Sequence, residues 1–435
     1  MPDIKPFTGL RYVLKTPADL GNYAAPPYDM IDDDLARGLY AKHEYNSVRV
    51  IQNLKEPTDT CNKDRHVRAG TFFDAWRKQG LLVHDAEPSV YVYEQKFTIV
   101  EAGKPVQYER LGVVSLVKLV PFSDGIVLPH EYTFSGPKAD RYELLESIRA
   151  NTGQIFGIIT DKDAAFHAAI KECRAGDPIG TFNDIDGTLH NLYRMTDPAV
   201  VARLTSAAKD RTVLIADGHH RYETALNYFK NTGDPAASHV MMTLVSARDP
   251  GLVILPFHRM LRRCKHISAF SVDRLSEFFT VKDLGAAALA EVDGFLRGEG
   301  DQVLMYVDNQ TRKLYALSPN SAGENYLSER AGGKSRLWTH LNVSIINMLV
   351  LQGLLDLDIT DSVVVHDTLD FSNNSAVALE RALSGDTYYG SIFLRPASVG
   401  TIAAVVDKNE RMPQKSTCFF PKLYSGLVFN VLGHS

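Results

Sequence analysis

The stretch ADGHHRYETAL, residues 216–226, decides the fold of the central part of this chain. It follows the short apolar run VLI at residues 213–215, which is typical of a buried strand. Apolar residues then recur at helical spacing from Tyr222 onward. Gly218 permits a tight turn, so the pattern predicts a strand, a turn and a helix with Asp217 as its N-cap.

The first turn of this predicted helix holds His219, His220 and Arg221. A helix N-terminus carries unpaired N–H groups and a partial positive charge, so it usually favours Asp or Glu. The residues found here suit a bound anion, because N–H groups, helix dipole and guanidinium then converge on phosphate or carboxylate oxygens. In the alternative interpretation, the histidines cap and pack while Arg221 pairs with a carboxylate elsewhere.

Composition and charge exclude several classes of protein. The chain has 435 residues, a formal net charge of −5 and four cysteines without a CxxC pair. This charge argues against a nucleic-acid partner, and the cysteine spacing argues against a zinc ribbon or a disulfide framework. Since no signal core or membrane-length apolar run is found, we expect a reduced cytoplasmic protein without a membrane partner.

The pattern along the chain predicts an α/β (α+β mixed) fold with a central mixed sheet. Two alternating runs at residues 90–100 and 106–120 are typical of a β-hairpin within that sheet. We predict three parts. The first is residues 1–264, which contain the stretch ADGHHRYETAL, called the box from here on. The others are an accessory α+β subdomain at 265–385 and a C-terminal segment at 386–435 that returns to the main site.

Loops on either side of the box carry polar candidates. His130 and Glu131 lie on a loop with Gly and Pro, which suits contact with a ligand. Asp140 and Glu143 have the spacing of a capping box, so we predict that Asp140 begins a helix that runs through Ile148.

Two further segments have structural alternatives. The stretch AAPPYDMI at residues 24–31 is expected to be extended and to present Tyr28 and Asp29, although a turn with a packed tyrosine fits equally. Residues 46–52 alternate like a strand. Near the C-terminus, MPQKST at residues 412–417 offers one ammonium and two hydroxyl groups to a phosphate, or forms a solvated surface.

The box resembles the defining motif of a large family, the domain of unknown function 1015 family. Other segments match its landmarks in order, namely PPYDMI at 26–31, HEYT and KADR within 130–141, PFHRML at 256–261, and MPQKST and FPKLYSGL within 412–427. The chain is therefore identified as a member over almost its whole length. The GHHR box is also similar to the phosphate-binding box of the ParB and sulfiredoxin-like group, which includes nucleotide hydrolases, a cysteine sulfinic acid reductase and free serine kinases.

This resemblance implies a phosphotransferase that phosphorylates the hydroxyl of free L-serine, with ATP, ADP or pyrophosphate as donor and Mg²⁺ as expected cofactor. The donor phosphates are assigned to Gly218, His219, His220 and Arg221, with help from Lys415, Ser416 and Thr417. The predicted catalytic residues are Glu131, Asp29, Asp217 and His220. Among them Glu131 is favoured as the base, while Arg141 or Lys138 would hold the substrate carboxylate or the transferred group.

Two other functions are compatible with the box. A nucleotide-binding regulator of the ParB-like type would bind a nucleotide at the same helix end with little turnover. A sulfinic acid reductase would require a cysteine before the His-Arg pair, and His219 stands at that position. The metal ligands and the oligomeric state are left open by the sequence.

Overall fold

The computed structural model describes residues 1–101, 104–133, 135–267, 269–297 and 303–434. The chain forms two compact units. Unit one contains Met1–Val253 and Pro421–Ser435, and unit two contains Ile254–Phe420. The three-part division predicted from the sequence, with borders after residues 264 and 385, stays a prediction.

Strands occur in both units. They are β1 Ile4–Lys5, β2 Leu10–Tyr12, β3 Leu82–His84, β4 Val90–Glu101, β5 Lys104–Lys118, β6 Val127–Pro129, β7 Ala150–Asn151, β8 Ile155–Ile159, β9 Gly180–Asn183, β10 Leu189–Met195, β11 Val213–Asp217, β12 His239–Ser246, β13 Val253–Leu255, β14 His258–Arg262, β15 Phe279–Gly285, β16 Leu304–Asp308, β17 Leu314–Pro319, β18 Leu369–Ser372, β19 Tyr388–Phe393, β20 Cys418–Phe420 and β21 Asn430–Val431.

The α-helices range from one turn to seventeen residues. They are α1 Leu20–Tyr23, α2 Asp33–Lys42, α3 Val48–Ile51, α4 Asn62–Lys78, α5 Ser135–Ile148, α6 Ala165–Cys173, α7 Pro198–Ala207, α8 His219–Thr232, α9 Val272–Leu275, α10 Val292–Arg297, α11 Ser321–Glu329, α12 Arg336–Thr339, α13 Asn342–Ile345, α14 Ser362–Thr368, α15 Ser375–Leu383 and α16 Val399–Asp407. Within the described ranges, none of the helices combines the length and the apolar character that crossing a membrane requires.

A mixed sheet is the framework of unit one, as the sequence predicts. Its strand order is β6-β11-β8-β12-β5-β4-β10-β9, and β1 also pairs with β5. The pairs β6–β11 and β8–β12 are parallel, while β4 and β5 form the predicted long antiparallel pair. Residues 102–103, in the middle of the predicted hairpin turn, lie outside the described residues.

The strand that leads into the box is buried on both faces. Val213 and Ile215, on one face of β11, are fully buried in one core with apolar side chains of β8, β12, α6, α7 and α8, and Leu214, on the other face, is also buried. A strand that packs on both faces reads as a continuous apolar run, which explains the VLI pattern. The core therefore fixes the end of β11, and the polar sequence that follows emerges at the edge of the sheet.

Three local predictions were wrong. Asp217 is the last residue of β11, and Gly218 is the N-cap of α8. Helix α5 begins at Ser135 rather than Asp140, whose carboxylate accepts hydrogen bonds from α4, including one from Asn62 at 2.8 Å. Residues 46–52 contain the helical turn α3 because the Asn46 side chain accepts the Val48 N–H at 3.0 Å, an Asx-type turn.

Unit two has an α+β architecture. Its sheet has the order β15-β17-β16-β19-β14-β18, and these strands pair antiparallel. The apolar run at residues 341–355 forms α13 followed by a π-helical segment, Ile346–Leu354, which packs in the core of this unit.

Candidate functional site

The box lies at one edge of the unit-one sheet, where two parallel strands end. In the β6–β11 pair, Pro129 is opposite Ile215, so the chain continues into Glu131 and Asp217 at the same edge. Strand β8 runs antiparallel to β11 and begins at this edge just after Gln154. A register shift in the β8–β11 pairing between Ile215 and Asp217 marks a bulge, a feature that re-aims a side chain. Side chains distant in sequence are therefore brought to one place.

The turn between β11 and α8 depends on glycine. Gly218 has a φ of +91°, and a Cβ placed there would lie 3.0 Å from both Nε and Nη2 of Arg221. No side chain caps α8 in the part of the chain that the structure describes. A residue with a side chain at 218 would thus be strained in the backbone and would displace the guanidinium.

Arg221 is folded back beneath this turn. Its Nη1 donates to the Gln154 carbonyl, and its Nη2 donates to Asp217 Oδ2 at 3.3 Å. Its Nε is buried and has no hydrogen-bond partner among the described residues. Because an unmade bond of a buried donor costs free energy, this N–H group is suited to an acceptor atom of a ligand.

Two histidines connect the ends of β6 and β11. Nδ1 of buried His130 donates to the Ile215 carbonyl at 2.7 Å, and the His130 backbone N–H donates to Nε2 of His219 at 3.3 Å. Burial, together with the neighbouring His130, lowers the pKa of His219 to about 3. His219 is therefore neutral at physiological pH, and its accepting nitrogen is used within the protein.

Glu131 follows directly on this histidine pair. Its Oε1 lies 3.6 Å from Nε2 of His130, and its side chain is 20% exposed. Burial raises the pKa of Glu131, but the neighbouring His130 and the charge of Lys422 outweigh burial and leave this pKa below its usual value. Glu131 is consequently an ionised, partly accessible carboxylate at neutral pH.

Asp217 is held between two cations. Its Oδ1 lies 3.3 Å from the Lys422 ammonium, and its Oδ2 accepts from Arg221. Burial acts to raise the pKa of Asp217, and the charges of Lys422 and Arg221 overcome it and lower this pKa to about 2. This makes Asp217 a weaker base than an ordinary carboxylate, and it favours a structural and electrostatic role for the group.

A second cluster of polar side chains, Glu223, Lys138 and Thr133, lies near His220. Glu223 accepts hydrogen bonds from Lys138 Nζ and from the Thr133 hydroxyl, both at 2.8 Å. Burial lowers the pKa of His220, while Glu223 and the exposed Asp29 oppose this shift. The predicted site residues Lys138 and Asp29 thus both lie within electrostatic reach of His220.

Arg141 is engaged by the protein. Its guanidinium donates to Asp140, to the Ile51 carbonyl at 2.8 Å and to the Gln52 side chain at 3.2 Å. It also lies over the ring of Tyr28, 4.2 Å from the ring centre. Arg141 and Arg221 line one small cavity, so Arg141 forms a wall of the site although most of its donors are used.

The other predicted phosphate ligands belong to unit two. The Ser416 hydroxyl donates to the Pro413 carbonyl, and the Lys415 ammonium lies 5.2 Å from the ring centre of Phe257. The Lys415 carbonyl accepts from Arg259 at 3.1 Å. Thr417 is nearly buried. The part of Lys415, Ser416 and Thr417 in phosphate binding stays a prediction.

A family described as a protein of unknown function, DUF1015, matches residues 4–344. The chain belongs to the DUF1015 family. The curated proteins contain no match to this DUF1015 member.

Solved structures also resemble this DUF1015 member. A free serine kinase in complex with AMP is 10% identical, with 68% of this chain and 83% of that chain covered and a TM-score of 0.33. SbnI with a C-terminal truncation, from Staphylococcus aureus, is 11% identical, with 74% and 84% covered and a TM-score of 0.34. A conserved hypothetical protein from Pyrococcus furiosus is 11% identical, with 69% and 89% covered and a TM-score of 0.32.

Sequence reasoning missed two residues of the DUF1015 site. Glu223 has a local signal, because it lies three residues after His220 on the same helix face. Lys422 has no local signal, since it is 205 residues from Asp217 and only the fold joins them. Among the described residues, no group of three or more His, Cys, Asp or Glu side chains is arranged to hold a metal ion.

Proposed function

We propose that this protein transfers a phosphoryl group from a nucleotide or pyrophosphate to the hydroxyl of free L-serine. The observation that carries the proposal is the start of α8, where no side chain in the described chain caps the helix and the buried Arg221 Nε has no partner. Helix N–H groups and a guanidinium in one place are suited to phosphate oxygens. The choice of L-serine rests on the resemblance of the GHHR box to the box of free serine kinases.

Gly218, His219, His220 and Arg221 then bind the donor phosphates. Gly218 contributes by letting the backbone approach the ligand, and neutral His219 holds the ends of β6 and β11 together through His130. Phosphoryl transfer depends mostly on positioning and on neutralising charge, so a rigid site of this kind supports it.

Glu131 is the proposed base. It is ionised at neutral pH and partly accessible, and it lies where the chain leaves the sheet, at the same edge as the α8 N-terminus. In phosphoryl transfer a carboxylate accepts the proton of the attacking hydroxyl. Asp217, with its pKa lowered to about 2, and the exposed Asp29 are weaker candidates.

Lys138 is the proposed contact for the substrate carboxylate. Its ammonium pairs with Glu223 at 2.8 Å and lies within electrostatic reach of His220, and about 30% of its side chain is exposed. Arg141 is the weaker candidate because its donors are engaged. Mg²⁺ is the expected cofactor, and it would neutralise phosphate charge.

Phosphorus NMR tests the proposal directly. Protein with Mg²⁺ and L-serine is incubated with ATP, ADP or pyrophosphate, each in a separate tube, and we expect an O-phosphoserine signal with at least one donor. Glu131→Gln keeps the shape of the side chain and should slow product formation about 100-fold or more. Arg203→Ala, which removes a surface ion pair with Glu172, should leave the rate unchanged.

Absence of O-phosphoserine in every tube would refute the proposed reaction. If the nucleotides nevertheless bind at the box, the ParB-like regulator becomes the better interpretation, because it requires binding with little turnover. Equal rates for the wild type and Glu131→Gln would keep the reaction and remove Glu131 as its base.

A further inference from the structure

The short segment Pro421–Tyr424 is held through its main chain by buried side chains of unit one. Arg110 donates to the Pro421 carbonyl, and Gln95 Nε2 donates to the Lys422 carbonyl at 3.0 Å. The Tyr424 N–H donates to the Tyr93 hydroxyl at 3.2 Å, and the Tyr424 carbonyl accepts from Gln154 Nε2 at 2.8 Å. The backbone on both sides of the Lys422 side chain is therefore fixed.

The four side chains that hold the segment are almost completely buried. Tyr93 is 2% exposed, and Gln95, Arg110 and Gln154 are each 1% exposed. Burial lowers the pKa of Arg110 to about 10, which reflects the cost of burying a guanidinium. Arg110 also donates to the side-chain oxygen of Gln95, so the two residues act as one hydrogen-bonded unit.

The hydrogen-bonded pair of Arg110 and Gln95 fixes the backbone from which the Lys422 side chain extends, and that side chain ends at the box. Its Nζ lies 3.3 Å from Asp217 Oδ1, and its charge also acts on Glu131. Asp217 thus pairs with two cations, Lys422 and Arg221. Two cationic side chains next to an uncapped helix N-terminus are suited to phosphate oxygens.

We propose that Lys422 binds the phosphate groups of the donor and that Gln95 is a positioning residue that acts through Lys422. This inference rests on the proposed function, because it assigns a further ligand to the same site. The Lys422 ammonium turns from Asp217 toward a phosphate oxygen when the donor binds, and the hold on its main chain limits the entropy lost in that contact.

Calorimetric titration with pyrophosphate and with ADP measures the effect on binding. Lys422→Ala should raise both Kd values about 10- to 100-fold, the effect of losing one charge-assisted contact. Lys422→Arg should restore a large part of the affinity because it keeps the charge. The matched control is Lys96→Ala, which removes another lysine paired with a buried carboxylate, Glu94, and it should leave both Kd values unchanged.

A double-mutant cycle tests the positioning role. Gln95→Ala should raise the Kd for pyrophosphate in the wild-type background and should add little once Lys422→Ala is present. If Gln95→Ala fails to fold, the comparison of Lys422→Arg with the neutral Lys422→Met still tests the part of Lys422 in binding. Unchanged Kd values in Lys422→Ala, with only a lower melting temperature, would overturn the proposal.

The same samples separate this inference from the proposed function. Binding that weakens in Lys422→Ala without any O-phosphoserine from the wild type would support Lys422 and refute the reaction. O-phosphoserine from the wild type, with the same rate and Kd in Lys422→Ala, would support the reaction and refute the role of Lys422. A wild type that binds neither pyrophosphate nor ADP refutes the proposal for Lys422.

Discussion

Helices α7 and α8 follow each other in unit one and begin in opposite ways. Helix α7 starts at Pro198 after Asp197, whose carboxylate accepts the N–H groups of Ala199 at 2.8 Å and Val200 at 3.3 Å. Helix α8 starts after Gly218, without a side-chain cap in the described chain, and no acidic residue lies in its first turn.

The difference separates a helix end that stabilises the fold from one that is suited to a ligand. A side-chain cap satisfies the first N–H groups and supplies negative charge to the dipole. At α8 the side-chain cap is missing, no acidic residue lies in the first turn, and a guanidinium adds positive charge at the same place. An anion from outside the chain would supply what Asp197 supplies to α7.

The largest expected effect comes from removing the guanidinium of α8. Arg221→Ala deletes the Nε donor and the contacts with Gln154 and Asp217. We expect O-phosphoserine formation to fall about 100- to 1000-fold, as for other preorganised donors to a transition-state anion. The measurement is the initial rate by phosphorus NMR. A loss below threefold would mean that the N-terminus of α8 contributes no more to catalysis than the N-terminus of α7.

The next effect concerns the turn before α8. Gly218→Ala places a Cβ at a φ of +91° and 3.0 Å from the Arg221 guanidinium, so we expect a loss of about 2 kcal/mol in the free energy of unfolding and a higher Kd for pyrophosphate. Gly233→Ala is the matched control, because Gly233 also has a positive φ but open space around its Cβ position. Urea unfolding and calorimetry measure the two quantities, and an equal Kd in both variants would contradict the prediction.

A pH titration distinguishes the first turn of α8 from that of α7. The pKa of His219 is lowered to about 3 from 6.5, so the unfolded chain binds a proton that the folded chain excludes. The contribution of neutral His219 to the free energy of unfolding is therefore fully present above about pH 6.5 and is lost as the pH falls toward 3. Urea midpoints from pH 7 to pH 4 should fall more steeply in the wild type than in His219→Asn. Parallel curves for the two proteins would contradict the lowered pKa of His219 in the folded state.

The smallest effect is expected at α7. Asp197→Ala removes a side-chain cap and should cost about 1 kcal/mol of unfolding free energy. It should not change the rate of O-phosphoserine formation or the Kd for pyrophosphate, because no ligand is expected there. A tenfold loss of rate in this variant would end the distinction between the two helices.

The predictions from sequence succeeded where a pattern depends on near neighbours. The strand, the glycine turn and the helix around the box are confirmed, as are the long β4–β5 pair and the mixed sheet. One of the failures came from a distant partner that competes for a capping side chain. Asp140 has the spacing of an N-cap, but Asn62 and His66 of α4 bind its carboxylate, and α5 begins earlier.

By itself, the sequence determined that an apolar strand passes through a glycine turn into a helix whose first turn carries histidines and an arginine. It did so because backbone conformation and helix capping depend on a few adjacent residues. Only the tertiary structure decided that Glu131 and Lys422 join Asp217. Their meeting depends on the parallel register of β6 with β11 and on buried hydrogen bonds to residues 421–424, and these contacts join positions far apart in the chain.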